Sequence, residues 1–384
     1  MNGRSFRLLT VFGMPIYIHV TWFIIFALIT WSLQDSWFPR IGPKESQLLS
    51  PAIHWVMGAA GAILLFVSVL LHELGHSFLA RHHHIPVRGI TLFLFGGVAE
   101  ITEEPASPRA EAEVTVAGWV VTASIALLCL LGVVVLPLTN RFLQATAGVL
   151  YYLMFINFML LAFNAIPGFP LDGGRLLRAL LWWRTGNLRR ATYIASSVGA
   201  AVGIAFIVLG GLSVLAQQVV SGVWLVLIGI FLRGAARANY QQLLVRRALE
   251  GVPISHLMAT DVVCIPADVT LEHAVNEWFF RYRYDGFPIC GPDGLAGMLT
   301  LDEVRAIDRS RWSETPVSQT MDRRAREYAA PADMDAMHVL ARMSQYDVGS
   351  IPVVDGGQLV GIVTRRDIMK LLRLKTDLEG VGED

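Results

Sequence analysis

Apolar and polar positions divide the chain into two parts with different patterns. The first part has long apolar runs with short polar connections, whereas residues 250–384 mix apolar and charged positions as a soluble domain does. A membrane-spanning helix needs about 20 mostly apolar residues. Runs of about this length occupy residues 15–33, 55–80, 112–136, 146–166, 193–214 and 219–239. The pattern therefore predicts an α-helical polytopic membrane domain with about six spans.

One apolar stretch is too short to cross a membrane. Residues 87–101, VRGITLFLFGGVAEI, are rich in residues that favour strands, and Gly96-Gly97 interrupts them. Backbone at membrane depth must be paired or line a wet cavity. We expect a short β-strand or hairpin at the membrane interface, and a plain amphipathic loop remains the alternative.

The soluble part contains an internal repeat. Residues 285–304, DGFPICGPDGLAGMLTLDEV, align with residues 348–368, VGSIPVVDGGQLVGIVTRRDI. Each half predicts a strand, a turn, a second strand and a helix, with another helix before them. The two copies resemble a tandem pair of cystathionine-β-synthase (CBS) domains, which have an α/β fold. We therefore expect a transmembrane domain over 1–245, a first CBS domain over 246–310, and a second with its C-terminal tail over 311–384.

Composition and charge narrow the possible partners and orient the membrane part. Hydrophobic residues make up 54% and charged residues 16%, and the formal net charge of zero gives no reason to expect nucleic acid as a partner. With six spans, fourteen arginines fall on one side of the membrane, and only Arg40, Lys44 and Arg141 fall on the other. Positive charge collects on the cytoplasmic side, so both termini are expected there, in a multi-pass protein of the cell membrane.

The first apolar run and the cysteines lead to two further expectations. The first run begins near Pro15 and has no clear cleavage site after it, so we interpret it as a retained span instead of a signal peptide. Cys129, Cys264 and Cys290 are scattered, with no CxxC pair. The spacing favours free, buried thiols over a disulfide framework or a cysteine zinc site.

Two histidines and a glutamate interrupt the second apolar run, in the order His72-Glu73-Leu74-Gly75-His76. Positions i and i+4 of a helix share one face, so His72 and His76 can reach a single metal ion, with Glu73 beside them as a proton acceptor. Ionisable groups in a membrane span cost roughly 3 kcal/mol each at its centre and by default mark a functional site. The pattern predicts one catalytic zinc ion, and the alternative is a histidine pair capping the helix end.

A third ligand is expected after the fourth run, in residues 163–177, FNAIPGFPLDGGRLL. The prolines and Gly168 must break the helix, which would deliver the Asp172 carboxylate towards the histidines. The alternative for Asp172 is a cap on the helix that follows. Asn164 could donate a hydrogen bond to a developing oxyanion, or it could make an interhelical polar contact.

HELGH in one span and NAIPGFPLDGGR after a later one resemble the site-2 protease family of intramembrane zinc metalloproteases, over roughly residues 10–240. The resemblance implies that His72, His76 and Asp172 bind zinc, that Glu73 is the catalytic base, and that Asn164 helps to stabilise the transition state. It also implies hydrolysis of a peptide bond in or next to a transmembrane segment of another protein, by a site within the bilayer near the cytoplasmic side. The tail is similar to that of the family's CBS-containing subgroup, which implies a homodimer formed through these domains.

Two features depart from this pattern or add to it. The family's AGPxxN-like motif reads AGWVVT here, with Trp119 replacing proline and Thr122 replacing asparagine. This difference leaves the metal ligands intact, but it removes the basis for expecting the third span to pack or gate as it does in the family. The three consecutive histidines at 82–84 point in different directions on a helix, so we interpret them as an interfacial cap and not as a second metal site.

The CBS repeat suggests regulation by an adenine nucleotide. The family pattern for nucleotide binding, Gly-x-x-Thr-x-x-Asp, is complete in the second repeat at Gly361, Thr364 and Asp367. The first repeat carries Gly297, Thr300 and Glu303, with glutamate at the acidic position. A carboxylate at this position would bind ribose hydroxyls of ATP, ADP or AMP, and the alternative is a purely structural dimerisation module. Two other readings of the whole chain stay open, a CBS-regulated transporter or channel and a catalytically inactive scaffold.

Overall fold

The computed structural model describes residues 5–94, 96–101, 104–291 and 294–379. It divides the chain into two compact units, Met1–Gln241 and Gln242–Asp384. The first unit holds the long apolar helices together with a small sheet. The second holds two shorter sheets surrounded by short helices.

The first unit begins with strands and continues with helices. Its first elements are β1 Ser5–Val11, β2 Met14–His19, α1 Thr21–Ser32, a π-helical stretch Leu33–Ile41, α2 Lys44–Gln47 and α3 Pro51–His82. They are followed by β3 Val87–Phe93, β4 Gly96–Ile101, α4 Pro108–Val135, α5 Arg141–Asn164, α6 Asp172–Thr185, α7 Leu188–Leu215 and α8 Val219–Leu249. Polar residues start several helices, since Ser107, Asn140 and Asn187 each accept a hydrogen bond from a backbone N–H of the first turn.

Among the described residues, five helices are long and apolar enough to cross a membrane, namely α3, α4, α5, α7 and α8. Each carries outward-facing large apolar side chains that water would not favour, such as Leu128 and Val208. The chain is therefore a multi-pass membrane protein, which confirms the predicted α-helical polytopic domain.

The first predicted span differs from the structure. Residues 15–19 lie in β2, where Met14 and Ile16 alternate towards the interior and Ile16 pairs with Ile90 of β3. Alternation with a period of two fits a half-buried strand, and a neighbouring strand was available to pair with it. Helix α1 thus has only 12 residues before it continues into the π-helical stretch, which contains Asp35 and Arg40.

The predicted interfacial hairpin is confirmed. Strands β3 and β4 pair antiparallel, and the sheet has the order β1-β2-β3-β4, which leaves β4 at one edge. At Gly97, an added Cβ would lie 2.8 Å from Cγ of Glu73. Only glycine allows the edge strand to pass this closely against α3, so the sheet edge lies directly beside the HELGH segment, residues 72–76.

The predicted break between the fourth apolar run and Asp172 is also present. Helix α5 ends at Asn164, and α6 begins at Asp172 after a loop that carries the buried Phe169. This loop rests on α7, where the Phe169 N–H donates to the Ala195 carbonyl over 3.2 Å. A Cβ at Gly199 would lie 2.0 Å from the Phe169 carbonyl oxygen. Glycine in α7 therefore allows the loop to lie flat on the helix.

The second unit contains the two predicted repeats. The first comprises a 3₁₀ turn Ile254–His256, β5 Ile265–Pro266, α9 Leu271–Ala274, a π-helical stretch Val275–Phe279, α10 Phe280–Tyr282, β6 Gly286–Gly291, β7 Gly294–Thr300, α11 Leu301–Arg305 and a 3₁₀ turn Arg309–Arg311. The second comprises α12 Val317–Thr320, α13 Ala325–Tyr328, α14 Ala336–Tyr346, β8 Ser350–Asp355, β9 Gln358–Thr364 and α15 Arg365–Glu379. The unit has two buried apolar clusters, one mainly from each repeat, and each also takes in residues of the other repeat, such as Ile254 and Val317.

The expectation of free thiols is wrong for two of the three cysteines. Cys264 and Cys290 form a disulfide with their Cα atoms 5.7 Å apart, while Cys129 is free and buried. Strand β5 pairs parallel with β6, with Pro266 opposite Cys290, and this pairing brings two cysteines together that are 26 residues apart in the chain. Sequence spacing alone does not reveal a contact created by sheet register.

Replacing Gly199 with alanine should destabilise the first unit. The new Cβ would overlap the Phe169 backbone, so the loop must move, at a cost of about 1–3 kcal/mol of unfolding free energy. Gly211→Ala is the matched control, because an added Cβ there meets nothing within 4 Å in the same helix. Thermal unfolding of the two purified variants in detergent compares them. Equal melting temperatures would contradict the packing described here.

Candidate metal centre

Three potential metal ligands converge between α3 and the start of α6. His72 Nε2 and His76 Nε2 are 3.1 Å apart, and each lies 3.2 Å from Asp172 Oδ2. All three residues are buried. Among the described residues, they form the one group of three or more such side chains close enough to share a metal ion.

The positions of the three ligands follow from the local structure. His72 and His76 are one helical turn apart in α3, so their rings lie on the same face. Asp172 is the first residue of α6, whose N-cap is Leu171 with no side-chain capping bond. The alternative role of Asp172 as a helix cap is therefore not what the structure shows. The carboxylate instead faces the histidine pair, which lies a hundred residues earlier in the chain.

Helix α4 orients both imidazoles. His76 Nδ1 is 2.8 Å from the Val114 carbonyl oxygen, and His72 Nδ1 is 3.0 Å from the Gly118 carbonyl oxygen. Carbonyl oxygens only accept hydrogen bonds, so both Nδ1 atoms carry the proton and donate. Each Nε2 therefore presents a lone pair towards Asp172, as metal-binding histidines do when a backbone carbonyl holds the opposite nitrogen.

A cation among the three atoms would stabilise this arrangement. Two lone pairs and a carboxylate oxygen about 3 Å apart repel one another, and no protein group donates a hydrogen bond to the buried Asp172 Oδ2 in the described part of the chain. Tetrahedral zinc with ligand bonds of 2.0–2.1 Å separates its ligands by about 3.3 Å. Two nitrogen donors and one oxygen donor at this spacing fit a catalytic zinc ion with one open position.

Glu73 lies next to the ligand set. It follows His72 in α3, is half-buried, and its Cγ borders Gly97 of the edge strand β4. The only carboxylate of α3 is thus next in the chain to one of the three ligands and close to the sheet edge.

Two residues of α4 belong to the site although sequence reasoning did not select them. A Cβ at Gly118 would lie 2.3 Å from His76 Cε1 and 2.8 Å from His72 Cε1, so only glycine fits beneath both rings. The Thr122 hydroxyl donates to the Gly118 carbonyl over 3.1 Å and accepts from His72 Nδ1 over 2.8 Å. The AGWVVT motif was the available signal, since its departure from the family pattern falls at Thr122.

The remaining histidines and Asn164 lie outside this cluster. His83 contacts Glu113 over 2.9 Å. Asn164 is half-buried at the last residue of α5, eight residues before Asp172. Among the described residues, its side chain has no hydrogen bond to the three ligands.

In the second unit, the two repeats line a cleft of about 660 Å³. Thr300 and Glu303 lie in it together with Thr364 and Asp367. Each acidic residue accepts hydrogen bonds from the backbone and hydroxyl of its threonine, so the two turns match. The rest of the lining is mixed in charge, with arginines at 283, 305, 324, 365 and 366 beside aspartates at 261, 285, 302, 322 and 347.

Gly361 does not line this cleft. A Cβ there would lie 2.5 Å from Met258 Sδ, so this glycine is required for packing. In the first repeat, a Cβ added at Gly297 would likewise lie 2.9 Å from Met321 Sδ. The glycines of the Gly-x-x-Thr-x-x-Asp pattern therefore support the strands that carry the threonines and do not face a ligand.

Comparison with known proteins gives the following matches. A model described as peptidase family M50 matches residues 60–147 and 139–209, and a CBS domain model matches residues 254–309 and 319–374. Two relatives carry the name "putative zinc metalloprotease". Rip3 of Mycobacterium tuberculosis is 32% identical over 94% of this chain and 91% of its own. A protein of Synechocystis sp. is 30% identical over 97% of this chain and 96% of its own.

Among solved structures, the site-2 protease from Methanocaldococcus jannaschii is 28% identical to this chain. The match covers 62% of this chain and 95% of that chain, with a TM-score of 0.43.

Replacing Thr122 with valine should weaken metal binding. Valine keeps the shape but removes the hydroxyl that accepts from His72 Nδ1, and loss of such a contact typically costs about 10–100-fold in metal affinity. Zinc affinity is measured on the purified protein by competition with a chromogenic chelator. Thr122→Ser should restore most of it.

Thr115→Val is the matched control for this variant. Thr115 is also buried in α4, but its hydroxyl bonds only to the Glu111 carbonyl of its own helix. If both valine variants bound zinc equally well, the hydroxyl of Thr122 would have no role in orienting His72.

Proposed function

The chain belongs to peptidase family M50, the site-2 protease family, and is an intramembrane zinc metalloprotease; from this premise we propose that it cleaves transmembrane or juxtamembrane segments of other membrane proteins at the His72–His76–Asp172 centre. The observation that carries this proposal is the convergence of three lone-pair donors, 3.1–3.2 Å apart and all buried. When a signal controls this cleavage, the process is called regulated intramembrane proteolysis.

His72, His76 and Asp172 would hold one zinc ion, which when bound polarises the scissile carbonyl and activates water. Glu73 takes the proton of the attacking water and later passes it to the leaving amine. Its position beside His72 and against β4 supports this role, because it lies on the side from which a substrate strand would arrive. Asn164 would donate to the developing oxyanion, and its place at the end of α5, just before the loop to Asp172, supports that assignment.

The edge strand β4 would bind the substrate. A transmembrane helix hides its backbone, so the segment to be cut must unwind, and an unwound segment needs a partner for its backbone groups. Strand β4 is the outer strand of its sheet, and Gly97 places it next to Glu73. Addition of the substrate as a further strand would align its backbone with the proposed metal centre.

The orientation and location of the protein follow from its charges. Helix α1 and the π-helical stretch together cover residues 21–41. They would form one membrane crossing before the five long helices. With six crossings, the fourteen arginines lie on one side, so both termini and the CBS pair would be cytoplasmic, in the cell membrane. The domain limits 1–245, 246–310 and 311–384 fit this arrangement, with a homodimer formed through the CBS pairs.

Adenine nucleotide at the CBS pair would regulate the protease. The cleft joins two matched threonine–carboxylate turns with several arginines, which suits ribose hydroxyls and phosphates together. Glu303 and Asp367 each use one oxygen for the hydrogen bonds of their own turn, and the other remains available for ribose. ATP, ADP and AMP all present these groups.

Glu73→Gln should abolish cleavage while leaving zinc bound. Glutamine keeps the size of the side chain but cannot accept the proton from water, so the rate should fall by about 10²–10⁴-fold or more. Cleavage of a membrane-protein substrate in proteoliposomes and zinc content of the same samples provide the two measurements. Asp172→Ala should instead lose both activity and zinc.

Glu113→Gln serves as the control, since Glu113 pairs with His83 and Arg109 at the helix surface. It should cleave like the unmodified protein. Full activity of Glu73→Gln would contradict the assigned base, and absence of activity in the unmodified protein would favour an inactive scaffold.

Asp367→Ala should weaken nucleotide binding by the full-length protein. Removing the carboxylate leaves ribose hydroxyls without an acceptor, which we expect to lower affinity about 10-fold or more. Isothermal titration with ATP, ADP and AMP measures this effect. Asp355→Ala, in β8 but outside the cleft, is the control. No heat with any of the three nucleotides would refute nucleotide regulation and leave a dimerisation module.

A further inference from the structure

A buried arginine connects the helix of the third ligand to the helix that holds the histidines. Arg178 of α6 is 8% exposed, and its Nε and Nη2 lie 2.6 Å and 2.5 Å from Glu111 Oε1 of α4. Its Nη2 is also 3.0 Å from Glu104 Oε2, in the segment after β4. The guanidinium stacks over the Phe169 ring at 5.2 Å, in the loop before Asp172. One side chain thus contacts three segments that surround the site.

These contacts fix the two halves of the ligand set relative to each other. Helix α4 supplies the Val114 and Gly118 carbonyls that orient the imidazoles, and Glu111 lies one turn before Val114. Helix α6 supplies Asp172, less than two turns before Arg178. The distance from Asp172 Oδ2 to the two imidazoles therefore depends on how α6 sits against α4.

Stability alone does not explain this group of charges. Removing an arginine and a carboxylate from water is energetically costly, and apolar residues of similar size often stabilise a core as well or better. Glu111 is 2% exposed, and its Oε2 has no hydrogen-bond partner in the described part of the chain. The pair instead fixes how the two side chains are oriented relative to each other, because the planar guanidinium binds Glu111 through two nitrogens.

We propose that Arg178 is a positioning residue, which holds α6 through Glu111 so that Asp172 meets His72 and His76 at metal-binding distance. This inference rests on the proposed zinc site. It assigns the Arg178–Glu111 pair a role in metal affinity and coordination geometry that an apolar pair of the same volume cannot replace. The ligand spacing of 3.1–3.2 Å leaves little tolerance, because a shift of α6 by 1 Å is half the length of a zinc–ligand bond.

The first test measures zinc affinity of the full-length protein by chelator competition, and the visible spectrum of its cobalt(II) form. Arg178→Met should lower affinity by about 10–100-fold, as for other groups that orient metal ligands, and should change the cobalt bands. Glu111→Gln, which keeps the shape and can still accept from Arg178, should have a smaller effect in the same direction. Arg184→Met, an exposed position of the same helix, should match the unmodified protein.

A double variant separates positioning from burial of charge. Arg178→Met combined with Glu111→Met removes both charges of the buried pair, so its melting temperature should stay near that of the unmodified protein. If positioning is the role, zinc affinity stays low and the cobalt spectrum stays altered. Recovery of the zinc affinity and of the cobalt spectrum would overturn the proposal. It would show that Arg178→Met weakened the site only because it left the Glu111 charge unpaired.

The outcomes also distinguish this inference from the proposed function. If His72→Ala binds zinc as well as the unmodified protein, the metal site itself is wrong. If His72→Ala loses zinc while Arg178→Met and the double variant keep the affinity and cobalt spectrum of the unmodified protein, only the positioning role is wrong. Should Arg178→Met fail to fold, Glu111→Gln and the double variant decide the question.

Discussion

The site depends on bringing three mutually repelling lone pairs together inside a membrane protein. His72, His76 and Asp172 hold theirs within about 3 Å of one another, away from water. A cation among them would convert that repulsion into attraction. The surrounding structure must nevertheless hold the donors in place before any ion arrives, and much of the local architecture serves this requirement.

Helix α4 is the centre of that support. Its carbonyls at Val114 and Gly118 determine which imidazole nitrogen carries the proton, and the missing side chain at Gly118 makes room for both rings. The Thr122 hydroxyl strengthens one of these contacts. Across the site, the loop on Gly199 and the Arg178–Glu111 pair determine where Asp172 begins its helix. The donors thus come from two helices, and a third helix sets their geometry.

Both units hold polar groups in fixed positions. Next to the metal centre, Gly97 lets an edge strand approach the Glu73 carboxylate side chain. In the CBS pair, Glu303 and Asp367 are held by their own turns in a wide and charged cleft. The first arrangement suits hydrolysis, which needs a fixed geometry, and the second suits reversible binding of a soluble nucleotide.

The sequence by itself determined the apolar helices, the repeat of the tail and the helix break before Asp172, because periodicity and helix-breaking residues are local properties. The i, i+4 spacing also placed His72 and His76 on one helix face, while Asp172 was left with a capping role as the alternative. The sequence misplaced the start of the first span, since pairing of β2 with β3 overrode an apolar run. It also missed the Cys264–Cys290 disulfide, Gly118, Thr122 and the Arg178–Glu111 pair. Each of these depends on contacts between segments far apart in the chain. Only the tertiary structure decides such contacts, because packing brings together residues whose sequence separation carries no physical signal.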